Sequence, residues 1–555
     1  MLRPLPLLTA LVLSGPVAFG LVGTVLPAIG LGPLGQGLSA GPMRDALSWP
    51  GLPRALAVAL GSGTLATIGA LGLTLLVLAG WHGTRAMRWL ERALSPLLSV
   101  PHAAAALGLA FLIAPSGWAM RAPALLMGWD RPPMLPFPQD PWGLSLTAGL
   151  VAKEMPFLLL MALAALPQVD PARRLRVARS LGQGRVAGWM KAVAPGVVRQ
   201  VRLPVLVVLV YGLTNVDVAV ILGPSTPPTL PVQITRWMLD PDLGRRAVGA
   251  AAALILMAAV AATLGLWWAA GRATAGAVRR WTESGRGLPE APARIAGLLA
   301  GGLSAAAVLL GLAALALWSL AGAWRFPDLW PETLTLRSWR REGGPLLAVT
   351  RDTLAIAAIS VAVSVMLAIG CLEAEHRHRL PAASRALWLL YLPLLVPQIV
   401  FLPGLAVLPF WFDLRPGVAL VAAVHVVFVL PYVFLSLSGP WRAWDARFAK
   451  VAAGLGASDD RVLWRVRLPM LLAPVLTAAA VGCAVSVGQY LPTLLVGAGR
   501  VPTLTTEAVA LSAGGDRRTI GVWGLGQTLA ALVPFALALA LPAWLHRDRR
   551  GLRHG

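Results

Sequence analysis

One pattern occurs twice in this chain at a fixed separation, and it limits the possible folds more than any other feature. The first copy reads Arg176-Val-Ala-Arg-Ser-Leu-Gly182 and continues to Ala194-Pro195. The second reads Lys450-Val-Ala-Ala-Gly-Leu-Gly456 and continues to Leu468-Pro469. Gly182 and Gly456 stand as far apart as Pro195 and Pro469, close to half the length of the chain. The register holds downstream, where Gly223 matches Gly497 and Pro228-Thr229-Leu230 matches Pro502-Thr503-Leu504. A looser echo joins Val100-Pro101-His102 to Val396-Pro397-Gln398. A period of half the chain means a tandem duplication of nearly the whole protein.

What is duplicated is apolar. Charged residues make up 13% of the chain and hydrophobic ones 57%, where a soluble protein carries about 25% charged residues. A crossing helix needs about 20 mostly apolar residues. Such runs lie near 5–30, 55–80, 93–114, 144–166, 204–222 and 247–270, then near 295–320, 352–372, 386–410, 417–438, 470–496 and 521–545. The expected fold is an all-α integral membrane protein of about 12 transmembrane helices. Pro and Gly inside the runs are compatible with this, because neighbouring helices shelter the freed backbone groups. Gly61, Gly63, Gly69 and Gly72 would let helices approach closely. Met1-Leu-Arg3 and the run after it have the outline of a signal peptide. We read them as a retained first span, since the two halves should match at six spans each.

Even-numbered halves insert the same way round, so the repeats are parallel and related by a pseudo-two-fold along the membrane normal. Of the 47 lysines and arginines, 30 fall at Arg3 and in the loops and tail of one side, 16 in the loops of the other. That bias places both duplicated loops and both termini in the cytoplasm. The net charge of +23 is thereby read as a topology signal, with no nucleic acid as partner. The expected organisation is a first repeat over 1–272 with a loop at about 167–203, a linker over 273–292, and a second repeat over 293–555 with a loop at about 439–469. The linker is polar with Gly and Pro, and reads as a tether. Cys371 and Cys483 sit in apolar runs and read as small core residues.

Each duplicated loop has helical spacing. Leu175, Ala178 and Leu181 share one face, and Gly182 suits a left-handed helix end. Beyond it, Val186, Trp189 and Met190, and in the second copy Val462, Leu463 and Val466, give one apolar face to a short helix. That face would enter a groove on a partner or lie on the membrane surface. The Ala-x-x-x-Gly spacing (Ala178 to Gly182, Ala452 to Gly456), the Leu-Gly pairs (Leu181, Leu455) and a proline thirteen residues on (Pro195, Pro469) resemble the "EAA" loop of ABC importer permeases. Two six-span halves in one chain are similar to the fused inner-membrane permeases of the ferric iron, thiamine and polyamine importer group. The resemblance implies that Ala178, Leu181, Gly182, Trp189 and Pro195, with Ala452, Leu455, Gly456, Leu463, Leu468 and Pro469, form ATPase-coupling loops. It implies two copies of a cytoplasmic ATPase as partners, a periplasmic substrate-binding protein, and residence in a bacterial inner membrane. The chain departs from the pattern where the naming glutamate should stand, at Arg176 and Lys450, and has Ala194-Pro195 where Leu-Pro is usual.

No Gly-Lys-Ser or Gly-Lys-Thr occurs in the sequence, so no P-loop is present. No cofactor is expected on this chain, with ATP and magnesium on the partner. Gly-x-Ser-x-Gly is also missing, and the chain is not read as an enzyme. His376 and His378 read as a solvated inner loop, with a metal site as the alternative. Five polar residues fall inside spans: Lys153, Glu154, Asn215, Asp217 and Gln489. Charges at that depth pair or face water, so these residues line a pathway or hold helices together. His102 and Gln398 are weaker candidates. The rival reading is an ion-gradient-driven secondary transporter with two six-span halves, which calls for more titratable groups in spans and no paired loops.

Overall fold

A computed structural model describes residues 3–31, 37–94, 97, 99–378, 384–407, 413 and 415–545. The basic tail beyond 545 and the end of the run expected near 386–410 lie outside the described residues. Among the described residues, nine helices are long and apolar enough to cross a membrane: Leu5–Ala28 (α1), Leu52–Trp81 (α2), His102–Ile113 (α3) with its continuation Trp118–Met127, Leu144–Val169 (α4), Leu243–Glu283, Glu290–Leu320, Arg337–Arg377, Val418–Ala443 and Arg517–Leu545. Three more spans are bent pairs, broken by 63° after Gln200, 87° after Leu395 and 75° after Met470. Counted together they give up to 12 among the described residues, and each corresponds to one of the apolar runs. The breaks fall near Pro204, Pro397 and Pro469, where missing amide donors already weaken the helix.

The duplication is written into the helix boundaries. After α4 come Pro171–Ser180 (α5), Arg185–Ala192 (α6), Arg202–Thr214 (α7), Asp217–Leu222 (α8), Leu230–Met238 (α9) and Leu243–Glu283 (α10). The second half begins with Glu290–Leu320 (α11), Arg337–Arg377 (α12) and Gln398–Leu405 (α13). It continues through Val418–Ala443 (α14), Arg447–Gly454 (α15), Asp459–Val462 (α16), Leu472–Val487 (α17), Leu491–Val496 (α18), Leu504–Ser512 (α19) and Arg517–Leu545 (α20). The offset between Gly182 and Gly456 also separates the starts of α4, α6, α8, α9 and α10 from those of α14, α16, α18, α19 and α20. Upstream the offset is larger, as between the start of α3 at His102 and that of α13 at Gln398. The change comes from the longer first-half connection over 114–143, which carries the helix Trp118–Met127.

The halves exchange their first spans. Helix α1 packs on α13 of the second half, and α11 packs on α2 and α3 of the first. Both exchanges rest on glycine pairs that bring backbones together. A Cβ on Gly108 would lie 2.7 Å from the carbonyl carbon of Gly311. Gly20 meets Phe401 and Gly404 in the other crossing, where the Gly404 amide donates to Thr24 Oγ1 at 3.1 Å. Lipid offers no hydrophobic drive between helices, so close van der Waals packing at small residues carries such contacts.

The stretch 273–292 is not a slack tether. Helix α10 continues through Glu283 and α11 begins at Glu290, leaving 284–289 between them. The alanines and arginines at 273–280 are good helix formers and extend the span instead of ending it.

Candidate functional site

The first duplicated loop is built from α5 and α6. Asp170 caps α5 by accepting from the Arg173 amide at 3.3 Å, with Pro171 next. At the other end the Gln183 amide donates to Ala178 O and the Gly182 amide to Arg179 O, both at 3.0 Å. This pair of bonds is the Schellman arrangement, which requires a left-handed residue. Gly182 supplies it with φ +71°. The second loop repeats the device. The Ala457 amide donates to Ala452 O at 3.0 Å, the Gly456 amide to Ala453 O at 2.9 Å, and Gly456 has φ +79°. The alanine at the head of the motif has a steric reason in the first copy: Ala178 is buried against Gly188 of α6, where a Cβ on the glycine would sit 3.2 Å from the alanine's own.

The apolar face expected to meet a partner turns inward instead. Val186 and Trp189 are 0% and 1% exposed and belong to the core of the chain's own bundle, and Val462 and Leu463 are each 8% exposed. Trp189 and Leu463 are therefore anchors of the loop, not a docking surface. Amphipathicity fixed which face is covered but not by what. Among the apolar side chains left open, Val177 (56%) and Leu181 (72%) are matched in the second copy by Val451 (65%) and Leu455 (84%), and the second loop exposes Phe448 and Trp464 as well. Arg173, Arg174, Arg176 and Arg179 surround the first pair, and Arg447, Lys450 and Arg461 the second, all exposed. Ala452 and Leu468 are half-buried, and Pro195 and Pro469 are exposed at the starts of short helical turns.

The loops are braced by different parts of the chain. Glu290, the first residue of α11, accepts from the Val186 amide at 2.9 and 3.0 Å and from Ala187 at 3.3 Å, a carboxylate set on the N-terminus of α6. Its side chain occupies the space that a Cβ on Gly184 would need. Lys191 Nζ donates to Ser284 O at 2.6 Å and lies 5.1 Å from the Trp281 ring. Arg185 donates to His82 O at 2.6 Å. Burial, then the Arg185 charge, holds the His82 imidazole below its ordinary pKa. In the second loop Arg467, 3% exposed, bonds Glu373 of α12 at 2.5 Å and lies 4.2 Å from the Trp444 ring. Arg377 links Glu373 at 2.8 Å to Asp460 at 2.7 Å. Asp445 is held below the usual carboxylate range by its hydrogen bonds from Arg447.

Inside the bundle the structure gathers most of the polar candidates. Lys153 and Glu154 are both buried, yet the ion-pair partner of Glu154 is His102 of α3, at 3.0 Å. Lys153 Nζ donates to Leu97 O at 2.5 Å. The His102 ring lies 4.7 Å from that of Tyr211, whose hydroxyl donates to Asp217 at 3.4 Å. Asn215 and Asp217 flank the break between α7 and α8, and Gln489 lies at the equivalent break between α17 and α18. Gln398 opens α13. The sequence reading missed the tyrosines, Glu290 and Glu373. No local motif marks any of them, because each acquires its partner from a distant part of the chain. Among the described residues, no group of three His, Cys, Asp or Glu side chains is placed to hold a metal ion.

Residues 366–548 match the family described as "Binding-protein-dependent transport system inner membrane component". The chain is 32% identical over 508 residues to the inner membrane ABC transporter permease protein YnjC of Escherichia coli (strain K12), covering 91% of each protein. Over 179 residues it is 31% identical to the molybdenum transport system permease protein ModB of Mycobacterium tuberculosis, which is 30% of this chain and 66% of that one. Over 130 residues it is 25% identical to the spermidine/putrescine transport system permease protein PotC of Escherichia coli (strain K12), 23% of this chain and 49% of that one.

Proposed function

The chain belongs to the ABC transporter permeases of the binding-protein-dependent inner membrane family, and from that premise we propose that it forms the whole transmembrane path of an importer by itself. A periplasmic binding protein delivers the solute, and two copies of a separate ATPase, carrying ATP and magnesium, dock on the two cytoplasmic loops. Both termini lie in the cytoplasm, in keeping with the excess of Arg and Lys on that side.

One observation carries the docking assignment. An exposed apolar pair, ringed by basic side chains and ending on a left-handed glycine, is present twice at the same register. A duplicated surface that keeps Val177 and Leu181, and again Val451 and Leu455, in water is otherwise a cost with no return. When the ATPases close on ATP, each pulls a rigid helix pair whose inner face is anchored in the bundle, and the halves rock about their exchanged first spans. The polar groups at the two mid-span breaks then face the path alternately from either side. Solute recognition is shared with the binding protein, and relatives named for molybdenum and for polyamines leave its charge to be read from this chain.

Gly182→Asp and Gly456→Asp test the docking assignment. Nothing lies within 4 Å of a Cβ at either glycine, so the side chain fits the free permease, and the positive φ adds about 1 kcal/mol of strain. We expect both variants to insert normally, while recovery of the system's ATPase on the purified permease falls tenfold or more. The double variant should be worse than either. Normal ATPase recovery in the double variant refutes the assignment.

A further inference from the structure

Between α2 and α3 the chain makes a short helix, Arg85–Leu94, that the docking loops do not use. Thr84 starts it, its hydroxyl accepting from the Met87 amide at 3.2 Å. The two sides of this helix differ. Met87 and Leu94 are buried and Leu90 is half-buried, and residues three, four and seven apart share one face of a helix. Arg85, Arg88, Trp89 and Arg92 lie on the opposite side at the same spacing, and all four are exposed. Trp89 is 70% exposed, with the Arg92 guanidinium 5.8 Å from its ring. Against its three arginines the helix carries one carboxylate, Glu91. At the offset that relates His102 to Gln398, the second half has 381–390, which contains a single arginine, Arg385. The basic side therefore belongs to the first half.

Depth decides what covers that side. A Cβ on Gly301 would lie 3.1 Å from Leu90 and 3.1 Å from Val77 of α2. Gly301 is inside the apolar part of α11, beyond Leu298 and Leu299, and Val77 comes before the end of α2 at Trp81. The helix thus folds back beside the ends of two spans and does not project into water. At that level the outer side of an amphipathic helix meets lipid headgroups. Indole rings concentrate there, and arginines extend from it to reach phosphates. A cleft of about 430 Å³ opens alongside. Arg88 and Glu91 line one wall, Leu163, Leu166 and Pro167 of α4 the other, and Pro171 of α5 closes the end. The cleft is charged along the short helix and apolar along α4, like the head end of a phospholipid.

We propose that this side of the helix and the cleft beside it bind the headgroup of an anionic phospholipid, with Arg88 and Arg92 on its phosphate and Trp89 at the level of its glycerol. The seat abuts Pro167 and Pro171, so an occupied cleft also steadies the start of loop one. The site needs the spans to lie in a membrane and does not depend on the ATPase assignment. The test takes the full chain, stripped of lipid in a neutral detergent, and follows thermal unfolding at constant ionic strength. Phosphatidylglycerol should raise the midpoint saturably, while phosphatidylcholine and glycerol 3-phosphate should not. Arg88→Gln with Arg92→Gln should raise the half-saturating concentration about tenfold or more, and Trp89→Ala about threefold. Arg279→Gln with Arg280→Gln removes the same charge from an exposed pair on α10 that does not line the cleft, and should change nothing. If the double variant at 88 and 92 does not fold, Arg92→Gln against Arg280→Gln decides in its place. No response to phosphatidylglycerol, an equal response to phosphatidylcholine, a response to glycerol 3-phosphate, or the same loss from the control pair overturns the proposal. So does lost ATPase recovery in the Arg88 and Arg92 variant with its lipid response intact, which gives this side to the ATPase instead.

Discussion

The two duplicated loops have one backbone plan and two systems of support. In both, a helix ends on a left-handed glycine, an exposed apolar pair precedes it, and a short helix follows with its apolar face in the bundle. Loop two is held within its own half, by Glu373 of α12 and the buried Arg467. Loop one is tied to its own half by Arg185 on His82 O, and also to Glu290, the first residue of the exchanged span α11, and to Ser284 and Trp281 just before it. The backbone plan is thus the same in both loops, while the braces behind it differ. On the docking assignment proposed above, a partner would constrain the surface, and the support only has to hold that surface still.

That contrast can be broken at the stronger brace first. Glu373→Ala leaves the Arg467 guanidinium, 3% exposed, without its carboxylate, and stranding one member of a buried ion pair costs about 3–5 kcal/mol. We expect a marked fall in the thermal midpoint of the purified protein and loss of ATPase recovery through loop two, with loop one unaffected. An unchanged midpoint means the pair is hydrated.

Glu290→Ala should be milder. It removes a cap from two amides that then find water, at about 1–2 kcal/mol. Global stability should hold, and hydrogen exchange at Val186 and Ala187 should quicken roughly tenfold. Glu290→Gln, which still accepts, should recover most of the protection. No change at those amides would show that loop one does not depend on the second half.

Smaller again is truncation of the exposed pair. Leu181→Ala and Leu455→Ala remove side chains that lie open in the free protein, so the thermal midpoint should not move, while ATPase affinity should drop severalfold and by similar factors at each loop. Unequal losses would show that the surfaces, like the braces, have diverged.

The least effect is expected from cutting the chain between Gly285 and Leu288. Helix α11 is held by its packing on α2 and α3, so the two parts, co-expressed, should purify together with loop one intact. A cut inside 279–283, within helix α10, should instead release Trp281 and loosen Lys191. Dissociation of the parts after the first cut would mean that the exchange of spans depends on the covalent bridge.

Much of this was legible in the sequence because it is written in local chemistry. Apolar runs of membrane-crossing length marked the spans, although nothing in the reading marked where three of them bend. The constant offset between paired motifs marked the duplication, and Gly182 and Gly456 the left-handed turns. What escaped notice depends on which distant segment comes near. Trp189 on an amphipathic helix looks the same whether it is covered by a partner or by its own bundle. The Gly and Pro of 285–289 drew the whole of 273–292 into a tether, although alanines up to 277 carry the helix onward. Glu154 was legible as a charge that must pair or face water, but not its partner His102, which arrives from another span. His102 and Tyr211 are far apart in the sequence and meet, ring centroids 4.7 Å apart, only through the packing of helices.

The exchange of first spans also sets an order of events on the ribosome. When Glu283 has been made, α1 still lacks α13, and the first docking helix lacks its carboxylate cap. Glu290 completes that cap soon afterwards, but α1 must wait until Gly404 has been synthesised before its glycine seam can close. A nascent first half is therefore an unfinished object, with a platform not yet fixed and a span not yet seated. On the docking assignment proposed above, the fold itself would defer recruitment of an ATPase until translation has passed into the second half.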